Sequence, residues 1–304
     1  MNLSDETLQL IKSIKDKYAA DGQDFNSYLE GLLHNNYLDY WDYIKLDVLP
    51  NLQYPRTGFP DEKIFIIYHQ ITELYFNLCL HEIEQLRGDY LENDSFSKRM
   101  KRLVNYFKAL TNSFSVMKEG MDRNQFISFR MALLPASGFQ SAQYRKIEIA
   151  STPFTNLVYH VKRDELKSKG IAKQFEEIYW KRGATLANTG KKTLTLKRFE
   201  QKYTDELIEN AEALKGLTIY DLYLDYLNQN GQDEELKKNL KEYDKLVNIL
   251  WPGVHYKTAD RYLGHDAKGT GGTNWREYLP PEFQKRIFFP ELYSENELKN
   301  WTKI

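Results

Sequence analysis

One stretch constrains this chain more than any other. From Asp61 to about Arg87 it runs without proline or glycine, with Ile64, Ile67, Ile71, Leu74 and Leu78 at intervals of three and four. That period predicts a long helix, and a second stripe of Phe65, His69, Thr72 and Phe76 falls on an adjacent face. A helix apolar on two faces belongs at the centre of its domain. Asp61 and Glu62 suit its N-terminus, where acids meet the positive end of the helix dipole. Helical spacing recurs over residues 5–18 behind a Ser4 or Asp5 cap, over 26–53 and 95–119, from Phe139 to Ile149, and over 219–228 and 234–251. The lysine-rich stretch 162–216 is expected to form solvated helices with a loop around Gly183 to Gly190, because acids are interspersed with the lysines. No segment alternates like a strand. The expectation is an all-α protein forming a single domain over residues 1–304. Within it, residues 1–36 make an N-terminal helical arm and 162–245 a lysine-rich, insert-like region.

Charge narrows the function. Lys and Arg number 42 against 43 Asp and Glu, so the near-zero balance carries no electrostatic footprint for nucleic acid or an anionic membrane. No apolar run approaches the roughly 18 residues of a membrane span. The N-terminus lacks a basic segment followed by an apolar one, so a soluble, cytoplasmic protein is expected. The lone Cys79 excludes an intrachain disulfide and any site built from several cysteines. Tyr and Phe number 22 and 16, which suits either a stacked aromatic ligand or helix interfaces rich in tyrosine.

Among the six histidines, His69 lies within an apolar stripe, where an imidazole needs a hydrogen bond, a ligand or a metal. His69 and Glu73 have the i, i+4 spacing of a metal pair, yet neither Glu-x-x-His nor His-Glu-x-x-His occurs. His255, between Trp251-Pro252-Gly253-Val254 and Tyr256, suits either axial ligation of haem iron or a buried structural histidine. Arg130 sits between Phe129 and Met131-Ala132-Leu133-Leu134, fit for bidentate capture of a carboxylate or for a structural ion pair. The loop Gly269-Thr270-Gly271-Gly272-Thr273 offers backbone amides and hydroxyls to a carboxylate, a phosphate or a haem propionate. Pro252 is tolerated only in a helix's first turn, which predicts that the helix bearing His255 begins late.

Together these segments resemble the haem-dependent tryptophan 2,3-dioxygenase family. Phe65-Ile66-Ile67-Tyr68-His69-Gln70 with Glu73-Leu74 is similar to its distal-histidine helix. Phe129-Arg130 followed by Pro135-Ala136-Ser137-Gly138-Phe139-Gln140-Ser141 resembles its second signature. His255, Arg261, Gly264 and Gly269-Thr270-Gly271-Gly272 resemble its proximal histidine and substrate loop, and Tyr40-x-x-Tyr43-Ile44 its aromatic segment ahead of the distal helix. The resemblance covers roughly residues 37–87, 120–150 and 246–293.

It implies a helical domain whose central helices sandwich haem b, with His255 as iron ligand, and Ser137 and Gly269 at the cofactor. It implies that His69 accepts the substrate's indole N–H and that Phe65 packs on the indole. Arg130 would hold the carboxylate, Thr270 the ammonium or carboxylate, and Phe126 would stand where the family commonly has tyrosine. Tyr40, Tyr43 and Ile44 would line the pocket from a neighbouring subunit of a homotetramer. The implied reaction joins both atoms of O2 to L-tryptophan at the indole C2–C3 bond, giving N-formyl-L-kynurenine, the first step of the kynurenine pathway. Trp275 and the Pro252-Gly253-Val254 run depart from the family pattern. Two other readings are a related haem enzyme oxidising another aromatic amino acid, and a non-catalytic haem-binding helical protein.

Overall fold

The computed structural model describes residues 3–35, 38–91, 95–186, 189–264 and 275–302. Among them it is all helix and loop, the only strand-like pairing being the isolated bridges Val158–Ile178 and Thr185–Lys192. The chain divides into two compact units, Met1–Gln53 and Tyr54–Ile304.

The first unit begins with two helices, α1 (Asp5–Ala20) and α2 (Phe25–His34). Ser4 Oγ accepts from Thr7 N at 3.2 Å, and the Asp24 carboxylate accepts from Asn26 N and Ser27 N at 3.2 and 3.1 Å, so each helix start has its side-chain cap. Between them Gly22 takes φ +68°, a left-handed turn open to glycine at no steric cost. Tyr18 stacks on Tyr28 at 4.3 Å, yet no residue of either helix is buried. The continuous helix expected over 26–53 is instead interrupted: α2 ends at His34, and only the short turns Tyr40–Tyr43 and Leu49–Asn51 follow.

The second unit is organised on α3 (Asp61–Asp89), which at 29 residues is about 43 Å long. Its buried face is Tyr68, Thr72, Phe76, Cys79, Ile83 and Leu86. The expectation of a central helix covered on both apolar faces is met on one face only. Ile67 and Ile71 are each 38% exposed, Leu78 44% and Leu74 54%, so most of the isoleucine–leucine stripe faces outward. Apolar periodicity marks faces without saying which is covered by the same chain.

Helix α4 (Ser95–Ser113) lies along α3 and buries Phe96, Met100, Leu103, Val104, Phe107 and Leu110, as its spacing predicts. The buried Glu82 of α3 receives Arg99 at 3.0 Å and Arg102 at 3.1 Å, a charge pinned across this interface. Helix α5 (Arg123–Phe129) meets the start of α3 in a reciprocal cap. Asp122 N donates to Asp61 Oδ2 at 2.6 Å, and Asp61 N donates to Gln125 Oε1 at 3.1 Å.

Helix α6 (Ala142–Ser151) packs on α3 and on α7 (Leu194–Ala213). The lysine-rich stretch is more than a solvated surface. Its Trp180 is fully buried, with edge-to-face contacts to Phe139, Phe175 and Phe199 at 5.4, 5.7 and 5.4 Å. Helices α8 (Ile219–Asn230) and α9 (Glu234–Lys245) follow. A π-helical turn, Leu246–Leu250, then joins α9 to α10 (Trp251–Leu263). The helix bearing His255 therefore does not begin late as expected but runs on from α9; Pro252 falls in the first turn of α10 and His255 in its second. Buried Phe288 and Phe289 dock the C-terminal segment by donating their N–H groups to Asp244 at 3.0 to 3.1 Å.

Candidate active site

Helices α3, α5 and α10, the turn Arg130–Leu133 and the turn Gly138–Gln140 with its cap Ser137 carry the described candidate residues of the second unit. On α3, Phe65 and His69 are one turn apart, their rings 4.0 Å between centroids. His69 Nδ1 lies 2.7 Å from the Phe65 carbonyl oxygen. A carbonyl only accepts, so Nδ1 carries the proton. Burial pulls the imidazole below its ordinary pKa, so the neutral ring leaves Nε2 as a bare acceptor. Glu73, which shares the i, i+4 spacing of a metal pair with His69, accepts Gln143 Nε2 at 2.8 Å. No group of His, Cys, Asp and Glu suited to a metal occurs among the described residues.

Around Phe65 the aromatic wall continues with Phe129 at 5.9 Å and Phe126 at 6.1 Å, both from α5. Phe126 in turn meets Tyr262 of α10 at 5.1 Å. The Tyr262 hydroxyl donates to Met121 O at 2.8 Å, and Arg123 Nε donates to Arg261 O at 3.3 Å, so the far end of α10 is fastened to α5. Arg130 follows Phe129 directly. It is half-buried, and that burial draws its guanidinium below the usual arginine range.

His255 stacks on Phe114 at 5.8 Å and lies 6.5 Å from Trp251, one turn earlier. Phe114 links onward to Tyr68 at 5.6 Å and Tyr68 to His69 at 6.0 Å, so one aromatic chain joins the two imidazoles. A Cβ built on Gly138 would stand 3.9 Å from His255 Cε1, which sets the Ser137-Gly138 backbone beside the ring. Ser137 N donates to Gln140 Oε1 at 3.2 Å, and Gln140 Nε2 donates to Thr195 O at 3.2 Å, tying that turn to α7. Burial pushes His255 down to about 4, with a smaller contribution from the nearby His69 imidazole.

Both histidines keep accessible surface, yet surrounding protein depresses both. His255 makes no hydrogen bond among the described residues, so its lone pair is not committed. A neutral imidazole on a helix, set among aromatic rings and, among the described residues, without thiolates or paired carboxylates beside it, fits the donor set of a haem better than that of a hydrated metal ion.

The structure thus brings together Phe65, His69, Phe126, Ser137 and His255, with Arg130 adjoining Phe129. Tyr40, Tyr43 and Ile44 belong to the first unit, where Tyr40 is 69% and Tyr43 76% exposed and Ile44 is half-buried. Gly269 and Thr270 lie outside the described residues. Sequence reasoning missed Phe114, whose contact with His255 spans too much chain for any spacing rule. Trp251 was within reach of such a rule, standing four residues before His255.

A family model described as tryptophan 2,3-dioxygenase matches residues 32–152. The chain is 30% identical over 263 residues to the tryptophan 2,3-dioxygenase of Polaromonas naphthalenivorans, covering 84% of this chain and 90% of that one. It is 30% identical over 293 residues to that of Geobacillus thermodenitrificans, covering 88% and 95%. With that of Herpetosiphon aurantiacus it shares 28% over 262 residues, covering 84% and 96%. Likeness of this degree over nearly the whole length, together with the helical fold, means that the chain belongs to the tryptophan 2,3-dioxygenase family.

Proposed function

We propose that this protein is a haem-dependent dioxygenase that converts L-tryptophan and O2 to N-formyl-L-kynurenine, opening the kynurenine pathway. The observation that carries this reading is the state of His69, a neutral imidazole whose Nδ1–H is committed to Phe65 and whose Nε2 is left to accept. An indole N–H is a donor of matching sense, and a buried acceptor that goes unmet costs about 1–3 kcal/mol, which selects for a substrate that supplies it.

His255, kept neutral by burial, would ligate haem b, with the Ser137-Gly138 turn against its edge. When bound, the haem supplies the iron chemistry that makes dioxygen reactive toward the electron-rich C2–C3 bond of the indole. The protein's own work is positioning. Phe65, backed by Phe126 and Phe129, offers a face for the indole ring, and His69 Nε2 fixes its rotation through the N–H. Arg130 would hold the carboxylate with a fork of two hydrogen bonds, and Thr270 the amino-acid head group. Both oxygen atoms end in the product, so no further reductant is consumed in the balance.

We further assign the protein to the cytoplasm, as a homotetramer in which Tyr40, Tyr43 and Ile44 reach a neighbouring site. The exposed Ile67, Ile71, Leu74 and Leu78 stripe supports assembly, since a solvent-facing apolar row on a central helix marks an interface. No helix among the described residues is long and apolar enough to cross a membrane.

The test is turnover by haem-reconstituted, reduced protein. Formation of N-formylkynurenine, abolished in His255→Ala, is expected. Haem binding without product from tryptophan would move the substrate to another aromatic compound.

A further inference from the structure

The π-helical turn Leu246–Leu250 carries a backbone problem. Trp251 N donates to Leu246 O, five residues back rather than four. The next bond in this register would run from residue 252 to Val247 O, but Pro252 has no N–H. In ordinary α register Val247 O would take Trp251 N–H, which is already spent on Leu246. Both helical partners of this carbonyl are therefore missing.

The Tyr144 hydroxyl, from α6, supplies a substitute: it donates to Val247 O at 3.1 Å, in a fully buried setting. Its proton is aimed there by Arg286, whose Nη1 and Nη2 lie 3.4 and 3.3 Å from the same oxygen. A guanidinium only donates, so the hydroxyl accepts from Arg286 and gives its single proton to Val247. Arg286 is itself held on buried Glu148, which also takes Arg145 at 2.8 Å and the Tyr179 hydroxyl at 2.5 Å.

We infer that Tyr144 is a positioning residue for His255, its hydroxyl standing in for the backbone N–H that Pro252 lacks. A π turn holds one residue more than an α turn. If Val247 O were released, Trp251 N–H would move from Leu246 to Val247, and everything beyond would shift by one residue, about 100° of rotation. His255, in the second turn of α10, would leave its place against Phe114 and Gly138. The occupied carbonyl is what keeps the wider register.

The inference rests on His255 being the haem ligand, and its test separates the two. In the reconstituted holoenzyme, Tyr144→Phe lets the shifted register compete with the native one on the scale of one buried carbonyl left unmet, and is expected to release haem about tenfold faster and to shift and weaken the ferrous iron–histidine stretching band in resonance Raman. Incorporating 4-aminophenylalanine at position 144, which restores an N–H donor on the same ring, should return both to the wild-type value. A packing role alone would lower thermal stability and leave the band unmoved. If Tyr144→Phe does not fold, the 4-aminophenylalanine protein carries the test, and a shifted band in it overturns the inference. An unshifted band in folded Tyr144→Phe does the same. If His255→Ala kept the wild-type band, the ligand assignment itself would fall; if it lost the band while Tyr144→Phe kept it, only the role of Tyr144 would.

Discussion

His69 donates its Nδ1 proton to the Phe65 carbonyl one turn back on the same helix, at 2.7 Å. The bond fixes the tautomer, and the tautomer fixes what the ring can recognise: a donor, offered to Nε2. A substrate analogue that exchanges the indole N–H for sulfur, 3-benzothienylalanine, keeps shape and head group but removes the donor. Its kcat/KM is expected to fall about 10- to 100-fold below that of tryptophan in the wild type. In His69→Ala the two substrates should converge. An undiminished gap in that variant would show that discrimination lies elsewhere.

Arg130 adjoins the aromatic wall of Phe126 and Phe129, with its guanidinium partly withdrawn from water. A charge-assisted fork on a carboxylate is worth more than neutral hydrogen bonds, so Arg130→Ala should lower kcat/KM for tryptophan about 100-fold, mostly through KM. Tryptamine, which lacks the carboxylate, should respond little to the same substitution. Steady-state kinetics on the pair of substrates decides the assignment.

Ligation requires a neutral imidazole, and burial holds His255 down to about 4. In the haem-free protein the ring should therefore stay ready to ligate from pH 8 down to about 5, and haem uptake should fall only as the pH drops through about 4. An unburied histidine, titrating near 6.5, would begin to compete with a proton for haem uptake about two units higher. The linked effect on folding has a definite sign. Between about 6.5 and 4 the unfolded chain takes up a proton at this ring that the folded chain refuses, so acidification across that window removes stability. Haem-free His255→Phe should lose that part of the dependence in denaturant titrations at several pH values.

Ile71 and Leu74 stand in the outward row of α3, at 38% and 54% exposure. Replacing both with glutamate removes little from the unit's own core, and surface changes of this kind typically shift folding by about 0.5 kcal/mol or less. A buried interface would tolerate two added carboxylates poorly. Light scattering should show the wild type as a tetramer and the double variant as smaller species. Equal masses would free that row from any role in assembly.

Much of this was legible in the sequence, and the failures have physical causes. The fold class and the α4 core face follow from period alone, because Phe96, Met100, Leu103, Phe107 and Leu110 have no competing apolar stripe. On α3 there were two stripes, and composition cannot say which one a second copy or another segment covers. Phe65, His69 and His255 were found through local signatures, whereas the approach of Phe114 and Gly138 to His255 depends on long-range packing. Pro252 marked a disturbance in the right place, but its resolution through a π turn needed Tyr144, more than a hundred residues earlier in the chain.

The central claim is that both atoms of one O2 molecule enter tryptophan at this site. Single-turnover reaction of the reduced, haem-loaded protein with L-tryptophan under 18O2, followed by mass spectrometry of the freshly formed product, tests it most directly. The account predicts N-formylkynurenine carrying two heavy oxygen atoms, and none formed by His255→Ala. Product with a single heavy oxygen, or a hydroxylated tryptophan in its place, would contradict it.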